Sequence, residues 1–286
     1  MKLILRVLFI FFLAVPSAVA TNQTDQKQLD VCTILMRSTY KIQGNKSLGT
    51  AFIMGEPSQD SPEKSYYVLI TAAHVLDGMN SEVAVLHLRK QEGEHFSKLL
   101  FSIPIRKDGR PLWIKHPAVD IAAMRVRLPR EADVPLISTN LIETDEILEQ
   151  FQVHPGDQLL VLGFPYGAEA NDAGFPILRS GRIASYPLVP GKVNKTFLLD
   201  FEVFKGNSGG PVLFYCENRV YGETTHIGSI QFVMGVVSQE KDVTERVESL
   251  SETVVRRHRL ALGVITHASF VVDLLKMLPT SEKDIP

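Results

Sequence analysis

The sequence predicts an all-β protein, two barrels or sandwiches set side by side and followed by a short helix. Three observations lead there. Strand-length apolar runs follow one another along the chain, among them "GTAFIMG", "SYYVLITAAHV", "VDIAAMRVRL", "GDQLLVLGFPYG", "TFLLDFEVF" and "ALGVITHA". Each is rich in Val, Ile, Leu or Phe and is bounded by Gly, Pro, Asp or Asn, as strands are. Long helix-period stretches are missing between them, which argues against alternating strands and helices. A length of 286 residues allows two modest domains.

The first twenty residues stand apart. "MKLILRVLFIFFLAVPSAVA" sets Lys2 and Arg6 before an apolar stretch and ends on Ala18-Val19-Ala20. That is the layout of a secretory signal peptide cut after Ala20, and it predicts export to the periplasm or the extracellular medium. The alternative is a retained membrane anchor, which Pro16 and the small residues at the cleavage position disfavour. Residues 21–29 form a polar leader. No later stretch is long and apolar enough to span a bilayer, so no stable membrane insertion is expected after cleavage. Cys32 and Cys216 suit an oxidising compartment, but two cysteines make no disulfide scaffold, and whether they pair is left open.

A first β domain is expected over residues 30–141 and a second over 142–268. The seam falls in "LPREADVPLISTNLIETDEILEQFQVHPGDQ", where strand character lapses and Pro and acidic residues gather. "SFVVDLLKML" places Phe270, Val271, Leu274, Leu275 and Leu278 at helical spacing behind a capping Ser269. It predicts a helix over 269–278 packed on the second domain. One charged stretch, within 239–258 and just beyond, carries Val243, Val247, Leu250 and Val254 at helical spacing. It reads either as a short amphipathic helix or as a solvated surface insertion. With 45% apolar and 22% charged residues a sizeable core is available, and a net charge of −2 gives no reason to expect nucleic acid as a partner.

Ser208 sits in "KGNSGGPVLF", with Gly206 on one side and Gly209 and Gly210 on the other. The glycines permit a tight turn whose backbone N–H groups point outward, as an oxyanion site requires. A serine hydroxyl is a weak nucleophile until an oriented base takes its proton. His74 closes the apolar run "YVLITAAH" and is either a satisfied core histidine or a base at a cleft wall. Asp120, in "AVDIAAMRV", is expensive to bury alone. Its partner is either Arg125 or Arg127, or an imidazole N–H. Ser238 ends the strand "GVVS" and has a hydroxyl to offer a buried carboxylate. Nothing in the sequence calls for a metal or cofactor.

"TAAHV", "VDIAAMRV", "GNSGGPV", "GVVS" and "LGVITHAS", in this order and spacing, resemble the trypsin-like serine proteases. The bacterial types are the most similar, including the HtrA/Deg protease domain and the glutamyl endopeptidases. The resemblance covers nearly all of residues 30–278. It implies a pair of six-stranded antiparallel barrels of the chymotrypsin-like kind, with protein or peptide substrates bound in the cleft between them. It further implies Ser208 as nucleophile, His74 as general base and Asp120 as its orienting carboxylate, with the N–H groups of Gly206 and Ser208 as oxyanion donors. Ser238, Gln239 and Glu240 would hold the substrate as an added strand. By alignment Glu202 and Phe204 lie on one wall of the specificity pocket and Gly263 on the other. Asn207 stands where zymogen-forming relatives carry an aspartate, so no newly cut N-terminus is expected to be needed. With eight residues after Leu278, no PDZ-like module is expected, and the oligomeric state is left open.

Two other readings remain. "GNSGG" also fits the nucleophile elbow of an α/β-hydrolase, although the β-only pattern before Ser208 opposes that fold. A catalytically silent peptide-binding protein on the same barrels is the second.

Overall fold

The computed structural model describes residues 30–57, 65–248 and 253–279; the expected signal peptide and polar leader lie outside them. The described residues start with a helix that the sequence reading did not anticipate, α1 (Val31–Ser38), whose N-cap Asp30 accepts the Thr33 N–H. Strands β1 (Thr39–Gln43), β2 (Leu48–Pro57) and β3 (Ser65–Thr71) follow, then the five-residue helix α2 (Ala73–Asp77). β4 (Val83–Glu92) and β5 (His95–Pro104) form a hairpin, and β6 (Ile114–Lys115), β7 (Ala122–Val126) and β8 (Ile137–Ser138) complete the first half. These strands make one eight-stranded sheet in the order β5-β4-β1-β2-β3-β7-β6, with β8 paired in parallel to β2.

The second half begins with α3 (Asp145–Gln150), and its six strands close on themselves. They are β9 (Gln158–Gly163), β10 (Ile177–Ile183), β11 (Thr196–Asp200), β12 (Pro211–Glu217), β13 (Ser229–Glu248) and β14 (Thr253–His267), in the order β9-β10-β11-β14-β13-β12. The protein is all-β and of the chymotrypsin-like kind, but only this half is a closed six-stranded barrel. The first is a larger sheet whose end strands, β5 and β6, are not laddered together among the described residues.

Period-2 alternation in the central strands explains why they read as unbroken apolar runs. Ala51, Ile53 and Leu69 point into a core inside the first sheet, while Phe52, Met54, Val68 and Ile70 point to its other face. That second face belongs to a core shared by both halves. It meets Leu162, Leu213, Val233 and Val236 on the outside of the barrel, Leu35 of α1, and Phe270, Val271, Leu274 and Leu275 of the terminal helix α4 (Ser269–Met277). A third core, with Val161, Phe197, Leu199 and Phe214, fills the barrel.

Two expectations need correction. α4 packs on β6 and β7 of the first half and on the shared core, not on the second barrel alone. Its N-cap is Ala268 without a side-chain bond, and Ser269 is the first helical residue, its N–H donating to the buried Glu143 carboxylate at 3.2 Å. The charged stretch is the solvated surface insertion rather than the amphipathic helix, and it is built of strands. β13 and β14 run past the barrel as a two-stranded arm, paired from Asp242↔Arg259 to Glu248↔Thr253. Its β-branched residues suit the ladder that the barrel strands already set, and that ladder overrides the helical spacing. Val243 is 46% exposed; Leu250 lies outside the described residues. Cys32 and Cys216 are free thiols. Among the described residues no helix is long and apolar enough to cross a membrane.

Candidate active site

His74 lies on α2, three residues past the end of β3 at Thr71. Ala73, Val75 and Leu76 bury one side of this short helix, which leaves His74 on the other, its side chain half exposed. It is therefore no core histidine. Asp120 occupies the bend before β7 and meets His74 twice. Its Oδ1 accepts the His74 backbone N–H at 3.0 Å, and its Oδ2 lies 2.6 Å from Nδ1 of the ring. The Ser238 hydroxyl, on β13 of the other half, donates to the same Oδ2 at 2.9 Å. Arg125 is engaged elsewhere, with Glu56 at 2.8 Å, so the carboxylate's partner is the imidazole.

Burial disfavours the Asp120 carboxylate, but the His74 ring, the His74 N–H and Ser238 together outweigh it and hold the group below its ordinary value of 3.8. An ionised carboxylate only accepts, so Nδ1 carries the ring proton and Nε2 is left with its lone pair.

Ser208 shares a cavity of about 450 Å³ with His74 and Asp120. The turn that presents it is held from behind by the first half. The Thr50 N–H donates to Ser208 O at 2.9 Å, and the Thr50 hydroxyl donates to Gly206 O at 2.6 Å while accepting the Phe164 N–H at 3.3 Å. Gly209 has φ +86, and a Cβ there would come within 2.1 Å of Thr50 O, so no larger residue fits this close approach.

The N–H groups of Asn207, Gly209 and Gly210 are each taken by carbonyls. Those of Gly206 and Ser208 donate to no group among the described residues. Lys205 O accepts the Tyr166 N–H at 2.6 Å. Across a trans peptide N–H and C=O point oppositely, so the Gly206 N–H is directed away from that contact. No hydrogen bond joins the Ser208 hydroxyl to His74 among the described residues.

Of the residues expected to bind substrate, Phe204, Ser238, Gln239 and Glu240 line the cavity. Glu202 is exposed and outside it, its carbonyl bonded by Arg179 at 2.8 Å, and Gly263 sits behind, against Val203. The carboxylate that does face the cavity is Glu240, 3.5 Å from the Arg259 guanidinium at the base of the arm. Sequence reasoning missed Thr50, Tyr166, Lys205 and Arg259. Only Thr50 left a trace, as a polar residue between Gly49 and Ala51 in an apolar strand. Among the described residues no cluster of three or more His, Cys, Asp or Glu is placed to hold a metal ion.

Asn207 is 1% exposed. The ladder between β12 and β13 ends at Pro211↔Val236, and among the described residues no further strand pairs with that edge of β13 from Ser238 onward, beside the cavity.

Two solved structures of Rv3671c resemble the chain. One, from M. tuberculosis H37Rv, is a serine-to-alanine mutant in an inactive form, at 18% identity and a TM-score of 0.44, covering 93% of this chain and 98% of that one. The other, the Rv3671c protease in an inactive form, is 17% identical with a TM-score of 0.40 and covers 86% and 90%. No curated protein matches the chain significantly. The family model of the trypsin-like peptidase domain matches residues 47–222, which takes in β2, α2 with His74, the Asp120 bend and the Ser208 turn. The chain therefore belongs to the trypsin-like peptidase family and is a serine endopeptidase.

Proposed function

We propose that this endopeptidase cleaves peptide bonds through an acyl-enzyme formed on Ser208, with His74 as base and Asp120 as its orienting partner. The observation that carries this reading is the chain of contacts Ser238–Asp120–His74 ending at the cavity that Ser208 lines. The Ser208 oxygen adds to the scissile carbonyl carbon as its proton passes to His74 Nε2. The carbonyl oxygen, now negative, takes the N–H groups of Gly206 and Ser208. Collapse breaks the C–N bond, and the proton moves from His74 to the leaving amine. Water then repeats the sequence on the ester and frees Ser208. The open edge of β13 at Ser238–Glu240 suits a substrate added as an antiparallel strand, with Phe204 and Glu240 beside its side chains.

The reading includes export, on the strength of the first twenty residues. Mass spectrometry of the protein recovered outside the cytoplasm tests this, with an N-terminus at Thr21 expected and an intact Met1 contradicting it.

A fluorophosphonate reacts only with an activated serine. The purified mature chain is expected to be labelled and its Ser208→Ala variant is not. The open contact between Ser208 and His74 keeps one other reading in view, a silent peptide-binding protein, and an unlabelled wild-type chain would establish it. Catalytic hydrogen bonds commonly tighten only when substrate is bound, which favours the enzyme.

A further inference from the structure

The loop between β9 and β10, residues 164–176, crosses from the barrel to the first sheet and is tied down at both ends of its path. Glu169 forms ion pairs with Lys41 of β1 and Lys98 of β5, each at 2.5 Å, with its own side chain 13% exposed. Lys41 also donates to Gly167 O at 3.2 Å. Further along, Arg89 of β4 is fully buried. It donates to Gly174 O at 2.9 Å and, on its other side, to Arg37 O and Thr39 O at 2.7 and 2.9 Å. Its guanidinium lies between the Tyr40 and Phe175 rings, 4.5 and 4.4 Å from their centroids, and Phe96 packs edge-on against Phe175.

The same loop reaches the reaction site. Tyr166 stands beside Gly167, and its N–H is the group that holds Lys205 O. A fully buried arginine on the far side of the first sheet has no role in the chemistry itself. A buried charge with this many directed bonds fixes position, because each bond holds only in one geometry.

We propose that residues 164–176 are a strap, anchored on the first sheet through Glu169 and Arg89, that holds the Lys205–Gly206 peptide with its N–H toward the substrate oxygen. Arg89 and Glu169 are thus positioning residues for the oxyanion site. The inference rests on the catalytic reading above.

The test compares Arg89→Met, Glu169→Gln and Phe175→Ala with wild type and with Leu148→Ala, a cavity variant in the barrel core away from the strap. The rate of labelling by an alkyl fluorophosphonate reports the oxyanion site. In that reaction the Ser208 oxygen bonds to phosphorus, fluoride leaves, and the P=O oxygen occupies the site. Binding of fluorescent casein, measured for each substitution in a Ser208→Ala background, reports the cleft without the chemistry. Losing one oxyanion donor costs about 10²–10³ in rate, so labelling is expected to fall about tenfold for Glu169→Gln and about a hundredfold for Arg89→Met. Casein binding stays within about twofold, and Leu148→Ala labels at the wild-type rate when folded. If Arg89→Met does not fold, Glu169→Gln and Phe175→Ala decide the matter. Folded strap variants that label like wild type overturn the proposal, as do labelling and casein binding that fall by one common factor. A wild-type chain that fails to label defeats the catalytic reading first, and the strap with it.

Discussion

Replacing Asp120 by asparagine is expected to reverse the proton on His74 while leaving the fold in place. In the native site three donors converge on two acceptor oxygens: the His74 N–H on Oδ1, and the His74 Nδ1–H and the Ser238 hydroxyl on Oδ2. A carboxamide has one oxygen and one NH₂ group. Placing the NH₂ against the backbone N–H sets two donors face to face, and a backbone N–H cannot change its role. The oxygen must therefore take the Oδ1 position. The NH₂ then faces Ser238 Oγ, which can rotate to accept, and Nδ1, which accepts only if the ring proton moves to Nε2. Every group is satisfied in that arrangement, and Nε2 can no longer receive a proton from Ser208. In a Ser-His-Asp triad the equivalent loss is about 10⁴ in turnover. Steady-state kinetics on a peptide substrate should show a fall of that size with a KM within a few-fold, and ¹⁵N spectra of the labelled histidine should show the proton on Nε2. A variant that retains turnover within about tenfold of wild type, or keeps its proton on Nδ1, would show that Asp120 does not set the tautomer.

Thr50→Val keeps the shape of the side chain but strands Gly206 O and the Phe164 N–H, both buried. Leaving buried partners unsatisfied costs about 1–3 kcal/mol each, so urea denaturation should give a stability loss of about 2–6 kcal/mol. Leu274→Ala opens a cavity in the shared core and should lose about 2–5 kcal/mol in the same measurement. His87 is held neutral by burial, and by the nearby Lys41 charge, with its pKa lowered from 6.5 to about 4. The unfolded chain takes up a proton between those values that the folded chain refuses, so stability falls as pH drops through this window, by up to about 3 kcal/mol. Thermal melts at pH 7 and pH 4.5 should show this loss, and His87→Gln should shrink it. For Asp120 the sign matches that of Glu169: both carboxyls are held below their ordinary values, so the stability they contribute is present above pH 5 and is lost as pH falls below about 4. Glu169→Gln should accordingly destabilise the protein at pH 7, and by progressively less as the pH falls below about 4.

The candidate site was legible because each of its residues breaks a local pattern. Ser208 sits among glycines that no strand wants, and Asp120 is a charge embedded in apolar sequence. His74 follows a run whose period ends there. The supports were not legible, since their meaning lies in the partner. Thr50 looks like any strand threonine until Gly206 O is found opposite it. Arg89 alternates normally within β4, and only the strap arriving from some eighty residues downstream shows that it is buried. The arm kept two readings open because Val243, Val247 and Val254 fit a helical period as well as a ladder, and the barrel strands that decide between them are remote in sequence. Glu202 shows the limit of alignment alone: alternation along "DFEVFKG" leaves the facing of each side chain open, and the exposed side received the carboxylate. α1 carried a fair signal in Asp30 and Thr33, which was overlooked beside the polar leader.

The apolar layer between the two halves has a further consequence for when the molecule becomes active. Phe270, Val271, Leu274 and Leu275 fill it from a helix that follows the barrel, and they rest on strands made near the beginning. A polypeptide emerging from its N-terminus presents His74 and Asp120 early and Ser208 later, yet the wedge that seats one half on the other arrives after all three. Nascent chains should therefore stay inert until that wedge is in place, sparing the machinery that makes them.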